Sequence, residues 1–126
     1  MSRSRILVAD NHRNVREVMT NLLDLLDIEV VPCSGGEEVL QMVECDEYDA
    51  VISDVVMPEM GGLDLVLRLK EKRPGLPVIM MSSYASESLE EEARSKGAIG
   101  LVSKPFKLEA VTRLLEAAGV DFARPS

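Results

Sequence analysis

Asp10, Asp54, Ser82 and Lys104 each close a short apolar run, and together they form a set able to handle a phosphoryl group. Ile6-Leu7-Val8-Ala9 leads into Asp10, and Ala50-Val51-Ile52-Ser53 into Asp54. Val78-Ile79-Met80-Met81 leads into Ser82, and the run from Ile99 to Ser103 into Lys104-Pro105. In an open parallel α/β sheet, ligands bind in the crevice outside the carboxyl ends of the strands. If these runs are strands of such a sheet, two carboxylates, a hydroxyl and an ammonium converge on one pocket. A carboxylate can attack phosphorus to form an acyl phosphate. Mg2+ accepts one or two carboxylates with phosphate oxygens and waters, and an ammonium can neutralise charge building on the transferred oxygens.

Each residue has a plainer reading alone. An aspartate after a strand is commonly a turn residue, a serine a turn residue or helix cap, and a lysine an exposed strand end. Four such residues in register across four runs favour the chemical reading. The Lys104-Pro105 pair also permits a cis peptide.

The elements that carry them alternate. Short β-branched runs occur at 5–9, 28–32, 49–53, 77–81 and 99–103. Between them apolar residues recur at helical spacing: Val15, Val18, Met19, Leu22, Leu23 and Leu26, then Val39, Leu40 and Val43, and again at Leu63 to Leu69, Leu89 to Ala93 and Val111 to Leu115. Breakers fall where each element should stop, at Ser34-Gly35-Gly36, Pro58 to Gly62, Pro74-Gly75, Gly97 and Pro105. Five βα units imply a parallel sheet covered by helices on both faces. The runs at 49–53 and 78–81 suit central strands, whereas 28–32, with Glu29 and Pro32, suits an edge. The domain is expected to span 4–118, with 119–126 a short tail or the start of a truncated linker.

At 126 residues the chain is long enough for one core. Hydrophobic residues make up 46% and aromatics 3%, so Leu, Val, Ile and Met fill the interior. A net charge of −8 argues against a nucleic-acid surface, which needs clustered Lys and Arg. Cys33 and Cys45 show no metal spacing and read as reduced thiols of a cytoplasmic protein. No signal peptide or membrane-length apolar run is present, so neither export nor membrane spanning is expected.

The stretches Ile6 to Asp10, Asp49 to Gly62, Pro77 to Ser82 and Lys104-Pro105-Phe106 resemble the receiver domains of two-component response regulators, including chemotaxis-regulator-like ones. The Asp-x-x-Met-Pro-x-Met-Gly-Gly segment, Asp54 to Gly62, is highly specific for that family. The resemblance implies a flavodoxin-like, doubly wound (βα)5 three-layer sandwich with strand order 2-1-3-4-5. It implies that Asp54 accepts a phosphoryl group from a histidine kinase or phosphotransfer protein. Asp10, Asp54, the backbone carbonyl of Val56 and the neighbouring Asn11 would then bind Mg2+, with Ser82 and Lys104 contacting the phosphoryl group. The output would be binding rather than turnover, through a surface spanning 87–118 that serves a downstream protein, an output domain or a homodimer.

The departures from that pattern are specific. Asn11 stands where the family usually carries a second acid, so weaker Mg2+ binding is expected; it also suits a cap for the helix beginning near residue 13. Leu101 replaces the usual aromatic residue, reads as core packing, and leaves switching to the loop after Ser82 and the helix beyond. Val56 and Tyr84 border the path of an attacking water in this family; valine cannot orient one and tyrosine partly screens it, so a long-lived acyl phosphate is expected. His12, the only histidine, reads as an exposed loop imidazole rather than a phosphotransfer or metal group. Met57, Met60, Met80 and Met81 read as core or loop anchors, and the glutamates from Glu87 to Glu92 as a solvated helix start.

Two other functions remain at this point. A pseudo-receiver, a protein-interaction module that no longer cycles phosphate, is suggested by Asn11 and Leu101. A flavodoxin-like cofactor protein or a phosphatase is disfavoured. Asp10-Asn11-His12 lacks the small-residue cradle that a flavin phosphate needs, and Asp10 has no Asp-x-Asp partner.

Overall fold

The computed structural model describes residues 3–123. Strands and helices alternate as β1 (Arg5–Ala9), α1 (Arg13–Leu25), β2 (Glu29–Cys33), α2 (Gly36–Cys45), β3 (Ala50–Asp54), α3 (Gly62–Lys72), β4 (Val78–Ser82), α4 (Glu87–Ser95), β5 (Gly100–Ser103) and α5 (Leu108–Ala117). The five strands are parallel and ordered β2-β1-β3-β4-β5, the expected flavodoxin-like arrangement. Every residue of β3 and β4 is buried, as runs apolar on both faces require. β2 forms an edge, and its Glu29 and Pro32 are exposed; a proline without an N–H is tolerated there.

The period-two alternation of a strand sorts the core into two layers. Leu7, Ala9, Val51, Val78 and Met80 face one side and pack with Val39 and Val43 of α2, Leu65 and Leu69 of α3, and Ala93 of α4. Ile6, Val8, Ile52, Ile79 and Met81 face the other and pack with Met19 and Leu23 of α1 and Val111 and Leu115 of α5. The four methionines read as anchors are all buried. Leu101 is half-buried and packs against the first layer.

Four of the five strands start one residue later than the apolar runs that predict them. In two of them the first residue of the run still contributes an N–H to the neighbouring strand, Asp49 to the Arg5 carbonyl at 2.8 Å and Ile99 to the Val78 carbonyl at 2.8 Å. Pairing on the ladder then begins at the following residue. The shift makes Asp54 and Ser82 the last residues of their strands rather than the first beyond them. Beyond α5, Val120 is buried in the second layer with Phe122 packed against it, and the Ala123 N–H reaches the Leu26 carbonyl at 2.9 Å. Residues 119–123 of the expected tail therefore lie on the body; 124–126 fall outside the described residues. No helix among the described residues is long and apolar enough to cross a membrane.

Candidate functional site

One backbone device aims three of the four expected side chains. The Asp10 carboxylate accepts the N–H of His12 at 2.8 Å, the Asp54 carboxylate that of Val56 at 3.2 Å, and the Ser82 hydroxyl that of Tyr84 at 2.9 Å. Each is a side chain binding the amide two residues ahead, which aspartate and serine do readily where a strand turns into a loop. The three turns sit side by side at the carboxyl edges of β1, β3 and β4. Lys104 arrives from β5, whose end is tied to β4 by the Lys104 N–H on the Ser82 carbonyl at 2.9 Å. The bond between Lys104 and Pro105 is cis.

The lysine joins the two acids. Its Nζ donates to Asp10 Oδ2 at 2.6 Å and to Asp54 Oδ2 at 2.9 Å. Asp10 is fully buried, Asp54 is 5% exposed and Ser82 2%. Burial works against ionising Asp10, but the Lys104 hydrogen bond and charge and the His12 amide hold it below the usual carboxylate range. Burial dominates at Asp54 and, with repulsion from Asp10, raises it above that range despite Lys104 and the Val56 amide. Burial also opposes the Lys104 ammonium, yet the two carboxylates outweigh it and keep the lysine more firmly protonated than usual.

The loop from β3 to α3 is closed tightly around Asp54. The Val55 N–H bonds the Met81 carbonyl at 3.0 Å and the Gly62 N–H bonds the Val55 carbonyl at 2.8 Å. A β-carbon on Gly62 would lie 2.2 Å from the Asp54 carbonyl oxygen and 2.8 Å from Val55 Cα, so only glycine lets α3 start there. Glu59 adopts the left-handed φ of 69° to turn the loop.

Above these groups opens a cleft of about 500 Å³, lined among others by Asn11, His12, Val56, Ser82, Tyr84 and Lys104. Asn11 is exposed and does not cap α1; the N-cap is His12, with no side-chain cap bond. Val56 and Tyr84 are 66% and 83% exposed at the cleft mouth. A larger cleft, about 800 Å³, opens at the opposite edge beside Arg3, Arg5 and Tyr48, but Arg3 is held by Asp24 and Asp27, and Arg5 by Glu29 and Asp46. Of the residues expected to handle a phosphoryl group, Asp54, Ser82 and Lys104 line the smaller cleft.

The donor set fits a divalent cation. One ligand atom each from Asp10, His12 and Asp54 lie within 4.8 Å of one another, and two of the three are buried carboxylates. Sequence reasoning set His12 apart as a loop imidazole. Its side chain is 68% exposed, yet Nδ1 lies 3.1 Å from Asp10 Oδ1. The signal was available in the two-residue spacing from Asp10, which the turn brings back onto the carboxylate. The direct bond between Lys104 and Asp10 was also not foreseen.

Residues 6–116 match the family model described as the response regulator receiver domain. Among curated relatives, the chain is 37% identical over 118 residues to the DNA-binding transcriptional regulator NtrC of Azospirillum brasilense, covering 94% of this chain and 24% of that protein. It is 33% identical over 113 residues to the response regulator MprA of Mycolicibacterium vanbaalenii, covering 90% and 49%. The chain thus spans about a quarter of the length of the NtrC relatives it matches. Among solved structures it resembles a putative response regulator from Chloroflexus aurantiacus, with a TM-score of 0.87, 26% identity and coverage of 94% and 99%. It also resembles the chemotaxis protein CheY4 of Vibrio cholerae, with a TM-score of 0.85, 26% identity and coverage of 93% and 99%.

Proposed function

The chain belongs to the response regulator receiver domains, and on that premise we propose that it takes a phosphoryl group onto Asp54 from a histidine kinase or a histidine phosphotransfer protein. The observation that carries this reading is the ion triad of Asp10, Lys104 and Asp54 at the carboxyl edge of the sheet. An Asp54 oxygen attacks phosphorus, the bond from phosphorus to the donor's histidine nitrogen breaks, and the electron pair returns to the imidazole. Lys104 leaves the carboxylate for the transferred oxygens, and the Ser82 hydroxyl donates to one of them. Asp10, Asp54, the Val56 carbonyl and Asn11 are the groups that would hold Mg2+. When bound, that ion neutralises the negative charge gathered between the acids and the phosphoryl group.

The phosphorylated domain is a signal, not a turnover catalyst, and it acts in the cytoplasm. The dianion on Asp54 draws on Ser82 and biases the exposed loop through Ala85 and the 87–118 surface built from α4, β5 and α5. That surface serves a downstream protein, an output segment or a second copy; the receiver unit itself is 4–118, with 119–123 packed on it. Relatives named as DNA-binding regulators suggest an output segment outside this domain. The second reading, a phosphate-independent interaction module, is favoured by one observation, the neutral Asn11 at the cleft where a second acid would strengthen cation binding.

Beryllofluoride mimics the acyl phosphate and separates the two readings. It is titrated with and without Mg2+ while the Asp54 and Ser82 amides are followed by NMR. Saturable, Mg2+-dependent shifts that vanish in Asp54→Ala support the phosphoacceptor. An intact fold with no binding at millimolar Mg2+ supports the interaction module.

A further inference from the structure

We propose that His12 is a metal ligand, and that with Asp10 and Asp54 it tunes the cleft toward a borderline first-row ion such as Co2+ or Zn2+ over Mg2+. This rests on reading the cleft as a cation site and adds to it a nitrogen donor and a selectivity.

Three features carry it. The first is distance. Bonds of about 2.1 Å set at right angles hold neighbouring donors about 3 Å apart, and Asp10 Oδ1 and His12 Nδ1 are separated by 3.1 Å. The outermost separation in the three-atom set is at most 4.8 Å, a little beyond the roughly 4.2 Å across an octahedron of such bonds. A small side-chain rotation closes that difference. The second is the division of oxygen atoms. Lys104 holds Oδ2 of both aspartates, whereas the imidazole approaches Asp10 through Oδ1. An ion held through Asp10 Oδ1 does not compete with the ammonium for that atom.

The third is the chemistry of the donors. Mg2+ gains most from anionic oxygens, whereas imidazole nitrogen favours borderline ions. Residue 11 is a neutral amide, so the cleft has two full charges and one nitrogen rather than a third carboxylate. The His12 side chain is 68% exposed and its backbone N–H is already fixed on Asp10, so the ring can swing onto an ion without disturbing the core.

The chain has one histidine, so in tag-free protein any imidazole signature of a bound ion comes from His12. Co2+ and Mg2+ are titrated separately by calorimetry, and the proton NMR spectrum of the Co2+ complex is recorded. A strongly shifted imidazole N–H resonance that disappears in D2O is expected. His12→Ala should lose that resonance and lower the ratio of Co2+ to Mg2+ affinity roughly tenfold or more. The ratio is the informative quantity, because Co2+ outbinds Mg2+ at most sites. Co2+ bound at Asp54 without a shifted imidazole signal, an unchanged ratio in His12→Ala, or no Co2+ binding would each overturn the assignment. Failure of the phosphoacceptor reading registers separately, as absent beryllofluoride binding to the Mg2+-loaded wild type.

Discussion

The Lys104 ammonium lies 2.9 Å from the Asp54 carboxylate, although 50 residues separate them in the chain. The same nitrogen also holds Asp10, so one positive charge serves two buried negative ones. The triad is one charge short of balance, and that deficit has consequences for stability as well as for chemistry.

Removing either sign from the triad should move stability in opposite directions in metal-free buffer. Lys104→Met leaves two buried carboxylates unpaired and should cost about 2–4 kcal/mol; Asp54→Asn leaves one balanced pair and should add about 1 kcal/mol. Asp54 lies above its ordinary value of 3.8 in the folded state. Its contribution is therefore fully present below that value and is lost as pH rises through the raised folded one. The advantage of Asp54→Asn should grow from acid toward neutral pH, as read by urea unfolding at a series of pH values. A constant gap would show that Asp54 is not strained by burial.

A longer-lived acyl phosphate is expected from the apolar Val56 and the broad Tyr84 at the cleft mouth. Val56→Asn gives the attacking water a hydrogen-bonding partner and should speed dephosphorylation several-fold, on the order of 1 kcal/mol of barrier. The readout is the decay of phosphorylated protein in the absence of any partner. An unchanged rate would mean that Val56 does not gate the water.

Gly62→Ala should damage the site from behind. The added methyl meets the Asp54 carbonyl oxygen and the Val55 backbone, which cannot yield as a flexible side chain does. A loss of about 2–3 kcal/mol is expected, with shifted amide resonances at Asp54 and Val55. Gly61→Ala, where nothing lies within reach of the new carbon, is the matched control.

The two thiols should be told apart by reagent. Cys45 is exposed and Cys33 buried, and burial pushes the Cys33 thiol up to about 12. A disulfide reagent at pH 8 should count one thiol in the native protein and two in denaturant. Two in the native state would mean that β2 opens readily at its edge.

The sheet and the positions of Asp10, Asp54, Ser82 and Lys104 were legible because periodicity and strand-end placement depend on local sequence. Asp54 to Gly62 was legible because a tight loop with a fixed glycine leaves few alternatives. What lay outside reach depended on side chains meeting across the fold. Lys104 reaching Asp10 spans 94 residues, and no local pattern encodes it. The contact of His12 Nδ1 with Asp10 Oδ1 was out of reach for a different reason: the ring is exposed, as expected, and only the turn at Asp10 brings it back onto the carboxylate. Asn11, suited by type to a helix cap, leaves that place to His12.

The order of the strands along the chain gives the site a clock. Asp54 is made early, but the lysine that completes its surroundings follows 50 residues later. At about 5–20 residues per second, that is an interval of roughly 2.5–10 s during synthesis. Throughout it the emerging chain has Asp54 but lacks the ammonium that holds it in place and the fifth strand. A chain that has emerged only through β3 therefore lacks the groups that hold Asp54, and its surroundings are complete only once β5 has joined the sheet.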